Sequence, residues 1–325
     1  MAADALSDLL RTVRLTGAAY FEIVAREPWA VASPPRDLIL PEILPDADHL
    51  IAYHVVTAGH CFATIGDGEP IALEAGQVLV VTNSDPHTMS SSPRLRADPP
   101  MPDVLEVAAA ADKPFCINLG DGPASTNLVC GYLACDARPF NPLLESLPPV
   151  IKVGDPAGDA AGWISQFIKF ALAEAAGKHA GSESVLTKLS ELLFIDVVRR
   201  YLATLPPGHA GWLAGLRDPP IGKVMSMMHA RPAHDWTIDE LAREAGMSRS
   251  VLAERFAKLV GIPPMHYLAK WRMQVAAELL ASGKTNLARI SAEVGYESEA
   301  SFSRAFKKLV GVPPSTWRRQ ERPGK

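Results

Sequence analysis

Long apolar runs are missing from this chain of 325 residues. No stretch of about 18 apolar residues occurs, so no membrane helix is expected. The opening MAADALSDLLRTVRL carries acids early and lacks the apolar core of a secretory leader, which makes the cytoplasm the default location. Cysteine is scarce: Cys61, Cys116, Cys130 and Cys135 form no Cys-x-x-Cys pair and read as reduced thiols, not as a disulfide framework. A Gly-x-Ser-x-Gly elbow, a phosphate-binding loop and a dinucleotide glycine fingerprint are all absent, which removes the usual sequence grounds for several enzyme classes.

What is present is an uneven distribution of charge. From Arg217 onward there are 18 Lys and Arg against 11 Asp and Glu, a net +7, while residues 1–216 carry a net −11. An acidic front and a basic rear suggest two parts with different partners; on charge alone the basic part serves either a polyanion or merely its own solubility. Pro-rich LESLPPVIKVGDPAGDAAG (145–162) and PPGHAGWLAGLRDPP (206–220) punctuate the chain. They divide it into 1–150, a helical linker at 151–216 and a basic region at 217–325.

Residues 4–15 predict a short amphipathic helix with Leu6, Leu9, Leu10 and Val13 on one face. From about Ala18 to Ala137, short β-branched runs alternate with turn residues, the texture of an all-β sandwich or barrel. GDGEP (66–70) and EAGQ (74–77) predict tight turns. Two helices follow, over WISQFIKFALAEAA (163–176) and SESVLTKLSELLFIDVVRRYLATL (182–205). In the second, Val185, Leu189, Leu192, Leu193, Val197 and Tyr201 form a stripe of helical period. Such a stripe serves either a domain core, the commoner use, or a seam between subunits.

The basic region writes one phrase twice. FAKLVGIPP starts at Phe256 and FKKLVGVPP at Phe306, an offset of 50 residues. Each copy ends a longer pattern: an amphipathic helix, a Gly-centred turn (Gly246, Gly295), then a second amphipathic helix stopped by Gly261 or Gly311 and Pro-Pro. Ahead of the turn, Leu241 and Ala242 match Ile290 and Ser291 at an offset of 49, so the second turn carries one extra residue. Helix, short turn and helix is a DNA-binding arrangement. Leu252, Phe256 and Leu259 are the core face of the first reading helix; Phe302, Phe306 and Leu309 are that of the second. The opposite faces present Arg249, Ser250, Ala253 and Glu254, and Glu299, Ala300, Ser303, Arg304 and Lys307. Lys258, Lys308 and Arg318 are either phosphate partners or simply solvated cations. Between the copies, PMHYLAKWRMQVAAELLASG (264–283) predicts one long helix with Leu268, Trp271, Val275 and Leu279 on its apolar stripe. Its span of roughly 27 Å falls a little short of the roughly 34 Å between successive major grooves on one side of DNA.

Residues 219–320, and LARISAEVGYESEASFSRAFKKLVGVPPSTWRR above all, resemble the DNA-binding domain of AraC/XylS transcription regulators. The resemblance implies two helix-turn-helix units on a rigid helix, reading adjacent major grooves through Arg249–Ala257 and Glu299–Lys307. Ala253 and Glu254 depart from the longer polar or basic side chains many members place there. YHVVTAGHCF, ALEAGQVLVVTNSDPHTM and NLVCGYLACD resemble the cupin-type barrel that precedes this domain in many members. That implies an α+β multidomain fold: a cupin-like β-barrel for effector binding or dimerisation, a helical linker, and an all-α domain with two helix-turn-helix units. Expected partners are double-stranded DNA, a small-molecule effector, a second copy of the chain and RNA polymerase.

Enzymatic cupins hold a metal through a His-x-His with a following Glu and a later His. Here His54 and His60 break that spacing, and His87 stands at the later position. Two readings remain for His54, Cys61, His87 and Cys130: ligands of a Zn²⁺ ion, or buried neutral imidazoles and packed thiols, the commoner outcome. The function expected is sequence-specific transcription regulation without catalysis, responsive to a small-molecule or a redox or metal signal through the N-terminal β domain. The alternative is a cupin metalloenzyme with an appended DNA module, distinguished by stoichiometric metal with an open coordination position.

Overall fold

The computed structural model describes residues 4–12, 15–38, 49–97, 115–123, 125–135, 139–155, 162–177, 179–206, 209–283 and 285–320. Packing divides the chain into two units. The barrel unit takes Leu15–Cys135 and Leu147–Ala203. The helical unit takes Met1–Arg14, Asp136–Ser146 and Thr204–Lys325.

Among the described residues of the barrel unit, ten strands form two sheets. The strands are β1 (Leu15–Arg26), β2 (Ala30–Ala32), β3 (His49–Ala58), β4 (His60–Ile65), β5 (Ile71–Glu74), β6 (Gln77–Val81), β7 (His87–Ser90), β8 (Phe115–Leu119), β9 (Ser125–Cys135) and β10 (Val150–Gly154). One sheet runs β10-β6-β3-β9-β1-β8 and the other β2-β7-β4-β5. Both expected turns form: Gly66 and Gly76 take positive φ (52° and 87°) between β4 and β5 and between β5 and β6. The sheets share a core that includes Leu50, Ala52 and Val56 of β3, Ala63 of β4, Leu79 of β6, Met89 of β7 and Leu128 of β9.

β3 is apolar on both faces because both are covered. Its even-numbered residues enter that core. On the other face Tyr53 donates a 2.7 Å hydrogen bond to Ser190, whose hydroxyl donates to the Leu186 carbonyl. Ser190 lies on α4 (Ser182–Thr204), which follows α3 (Trp163–Gly177); the short α2 (Pro142–Ser146) belongs to the helical unit. The stripe on α4 is split: Leu193 and Val197 are buried, Val185 and Leu189 are half-buried, and Leu192 is 51% exposed. Arg200 fastens α4 to the end of β10 through Asp155 at 3.0 Å and the Gly154 carbonyl at 3.1 Å.

The helical unit contains α1 (Ala5–Thr12), α2, α5 (Trp212–Arg217), α6 (Pro219–Ala230), α7 (Ile238–Glu244), α8 (Arg249–Val260), α9 (Pro264–Ser282), α10 (Leu287–Glu293), α11 (Glu299–Val310) and α12 (Pro314–Gln320). Packing therefore cuts the chain differently from the division at 150 and 216. The reason lies in two apolar side chains: Leu6 and Leu9 of α1 are buried, and α1 packs on α6 and α9. Val13 of the same expected face lies outside the described residues. The segment around α2 is also tied to this unit. The Phe140 amide donates to the buried Gln274 of α9 at 2.9 Å, and the Lys270 ammonium sits 4.6 Å over the Phe140 ring. At the centre, the Tyr267 hydroxyl accepts from the Trp212 indole N–H and donates to the His229 Nε2, both at 2.7 Å. The His229 ring stacks on Trp271 with centroids 3.7 Å apart. Burial pushes the His229 pKa down to about 3, which keeps the ring neutral and able to accept.

Leu9 is fully buried, so Leu9→Ala should remove about 2–5 kcal/mol from the helical unit. Hydrogen–deuterium exchange should rise in Pro219–Ala230 and Pro264–Ser282. Unchanged protection there would place α1 outside this unit's core.

Candidate nucleic-acid interface

Each helix-turn-helix unit is written in local signals. In the first, the Thr237 hydroxyl accepts from the Glu240 amide to start α7, and the Ser248 hydroxyl accepts from Val251 to start α8. Asn286 and Ser298 do the same for α10 and α11. The turn glycines Gly246 and Gly295 have φ of 68° and 78°, and the stop glycines Gly261 and Gly311 have φ of 86° and 94°. In this left-handed region a Cβ is penalised. The matched hydrogen bonds Met247 N to Ala242 O and Tyr296 N to Ser291 O align the two turns, leaving Glu297 as the additional residue.

The core faces fall as expected. Leu252, Phe256, Phe302 and Phe306 are buried, while Leu259 and Leu309 are half-buried. Arg249, Ser250, Glu254 and Lys258 on α8, and Glu299, Ala300, Arg304, Lys307 and Lys308 on α11, are exposed. Ala253 and Ser303 are half-buried on the flanks of their helices.

The cations differ in what already holds them. Among the described residues the side chains of Arg304, Lys258, Lys307 and Lys308 make no ion pair or hydrogen bond. Arg249 has a loose, exposed pair with Asp239 at 3.4 Å, a contact worth little in water. Arg255 is engaged by Asp218, and Arg289 by Glu293 at 2.8 Å. Arg318, expected to meet phosphate, is half-buried and donates to the Thr285 carbonyl at 2.8 Å, because Trp317 beside it anchors α12 in the core.

Two features of the reading faces were missed from sequence. Val251 stands 49% exposed on the first turn of α8, where the second copy has Ser301. An exposed β-branched residue at that place can meet a thymine methyl. The charges are also exchanged between the heads: Arg249 and Glu254 in the first correspond to Glu299 and Arg304 in the second. Both were visible in an alignment of the copies by reading across positions; burial was needed to give them weight.

The four front residues do not converge on a point. His54 stands between its partners, with Nε2 2.7 Å from His87 Nε2 and Nδ1 2.9 Å from Cys130 Sγ. The far nitrogen of His87 lies 2.7 Å from the Asp85 carbonyl. A carbonyl only accepts, so His87 Nδ1 carries the proton and its Nε2 accepts. His54 Nε2 then donates, and His54 Nδ1 accepts from the Cys130 thiol. Every proton is placed with both rings neutral. Burial lowers both imidazole pKa values, and the neighbouring His87 adds to the effect on His54. Burial first and Cys61 second hold the Cys130 thiol well above its usual range. A single ion cannot reach His87 and Cys130 on opposite edges of one ring, and among the described residues no group of three His, Cys, Asp or Glu could hold a metal ion. The Zn²⁺ reading of His54, Cys61, His87 and Cys130 therefore does not fit this geometry.

Residues 4–203 match the family model described as Cupin, and residues 241–320 match the one described as Helix-turn-helix domain. An AraC-like transcription regulator of Streptomyces antibioticus is 33% identical over 98% of this chain and 100% of its own length. The HTH-type transcriptional regulator AlkR of Acinetobacter baylyi is 26% identical over 98% of this chain and 99% of its own. Among solved structures, the DNA-binding domain of AdpA in complex with a target DNA is 25% identical, covering 33% of this chain and 99% of that one with a TM-score of 0.31. The chain belongs to the AraC family of transcription regulators. It is a DNA-binding regulator and not an enzyme, which sets aside the metalloenzyme alternative. No helix among the described residues of this AraC-family chain is long and apolar enough to cross a membrane.

The neutral His54–His87 pair sets a pH dependence. Unfolded histidine takes up a proton near pH 6.5, whereas the folded rings resist it. Stability is then full above about pH 6.5 and falls below it, by at most about 1.4 kcal/mol per pH unit for each ring. Chemical denaturation at pH 7.5 and 5.5 measures this. His87→Asn should flatten the profile, and an equally steep loss in that variant would count against the proton assignment.

Proposed function

We propose that this regulator docks α8 and α11 in consecutive major grooves of one operator. The observation that carries this reading is the repeated unit with outward cations that no described residue engages: Arg304, Lys307 and Lys308 on one head and Lys258 on the other. Arg304 is the principal base contact, suited by its planar fork to the O6 and N7 of guanine. Arg249 and Lys307 contact bases or phosphates. Lys258 and Lys308 neutralise phosphates, which position the protein without reading sequence. Ser250, Ala253, Glu254, Glu299, Ala300 and Ser303 complete the two faces. Glu254 is the acceptor at the place where the second head has Arg304, so the half-sites differ in sequence.

The barrel unit serves as the sensor for a small effector and, with α3 and α4, as the contact for a second copy of the chain. RNA polymerase is the further partner at the promoter, and the cytoplasm is the site of action.

Arg304→Ala should weaken specific binding by about 1–3 kcal/mol and relax discrimination at one base pair, while Lys308→Ala should weaken all sequences alike and lower the salt slope by about 1. Equal loss on operator and random DNA for Arg304→Ala would overturn its base-reading role.

The 19-residue α9 is about 28 Å long, still short of the roughly 34 Å groove repeat. The operator should therefore bend toward the protein, seen as phase-dependent mobility of circularly arranged A-tract fragments. Mobility independent of phase would refute simultaneous docking on bent DNA.

A further inference from the structure

A single connecting helix fixes the distance between two reading heads but leaves their mutual twist to whatever else joins them. Arg272 supplies that second join. It sits on α9 with Nε donating to the Pro232 carbonyl at 2.7 Å and Nη2 donating to the His234 carbonyl at 2.9 Å. Both carbonyls belong to the loop that leads into α7. The same guanidinium lies 5.9 Å from the centroid of Tyr296, in the turn of the second unit. Backbone meets backbone at the same place. A Cβ on Gly295 would come within 2.8 Å of the Ala233 carbonyl oxygen and 2.9 Å of both the Ala233 Cα and Arg272 Nη2.

Each side of this contact is anchored in its own head. On the first, the Trp236 indole donates to the Arg231 carbonyl at 3.1 Å, the Arg231 guanidinium stacks 4.4 Å from the Trp236 ring, and His234 meets Glu240 of α7 at 3.0 Å. On the second, Tyr296 packs edge-on against Phe302 of α11 at 5.8 Å. A continuous path of contacts thus runs from α7 through the loop, Arg272 and Tyr296 to α11.

We infer that Arg272, with the Gly295–Tyr296 turn, is a positioning clamp that sets the rotational register of the two reading heads and hence the base-pair spacing the operator must have. The inference rests on both α8 and α11 reading DNA. One inserted base pair moves a half-site by about 35° around the axis. A stiff pair of heads then loses simultaneous engagement, and with it the gain of two-point binding. An ammonium at this position cannot serve two carbonyls and an aromatic face together, because the planar fork does all three.

The test uses the full-length protein. An operator is selected from random duplex DNA, and one base pair is then inserted or deleted between its half-sites. The native protein should lose on the order of 100-fold in affinity for either change. In Arg272→Lys and Tyr296→Ala that penalty should shrink to about threefold, with weaker binding at native spacing. Tyr296→Phe should keep the native profile, since the ring is what Arg272 faces. Gly295→Ala, which pushes the turn off Ala233, should shift the preferred spacing or broaden it.

A native protein indifferent to spacing overturns the clamp. So do folded variants that weaken equally at every spacing, with hydrogen exchange of both heads unchanged. Failure to select any preferred sequence overturns the DNA-reading assignment instead, which separates the two claims. If Arg272→Lys does not fold, Tyr296→Ala and Gly295→Ala decide alone.

Discussion

The burial of α9 is the constraint on which the helical unit depends. This helix is the shared wall of two small cores. Trp271, Leu268 and Tyr267 face the first, where Tyr267 joins Trp212 and His229 by hydrogen bonds and Trp271 stacks on His229. Met273, Ala276, Ala277 and Leu280 face the second, with Ile290, Phe302, Phe306 and Trp317. A helix buried on two sides cannot rotate without opening one core. Two of its polar side chains reach backbone: Gln274 accepts from the Phe140 amide, and Arg272 donates to two carbonyls. Helices α8 and α11, supported on such a wall, keep their outward faces fixed, which is what the proposed groove recognition requires.

The helical unit also recruits chain from far away in sequence. α1 and the segment ending in α2 join it. Inside the barrel, the chain of hydrogen bonds from Asp85 through His87 and His54 to Cys130 places polar groups in an otherwise apolar core without leaving a charge. Neutral rings and a protonated thiol are the form that a low dielectric permits.

Much of the reading apparatus was legible in the sequence because it is built from local rules. Caps, stop glycines and turn glycines act within a few residues, and the apolar period of each helix marks its own buried face. The repeat doubled the signal: Phe256 and Phe306, or Gly246 and Gly295, could be checked against each other. The tight turns at Gly66 and Gly76 were readable for the same reason. The stripe on α4 was only half right, since Leu192 obeys the period and is nonetheless exposed. Period says which residues share a face, not how far a neighbour covers it.

The sequence by itself determined the two helix-turn-helix units, the excess of positive charge that accompanies them and the alternation of strands in front, all of which depend on neighbours along the chain. Tertiary structure decided the rest. It assigned Leu6 and Leu9 to the helical unit, gave Arg318 and Arg255 the partners Thr285 and Asp218, and left the Arg304 and Lys308 side chains without one among the described residues. It also set His54 between His87 and Cys130 as a bridge, where residue types alone allowed a metal site. The physical reason is common to these cases: a side chain's partner is chosen by distance in space, and 33 residues separate Thr285 from Arg318 while 76 separate His54 from Cys130. No local periodicity reaches that far.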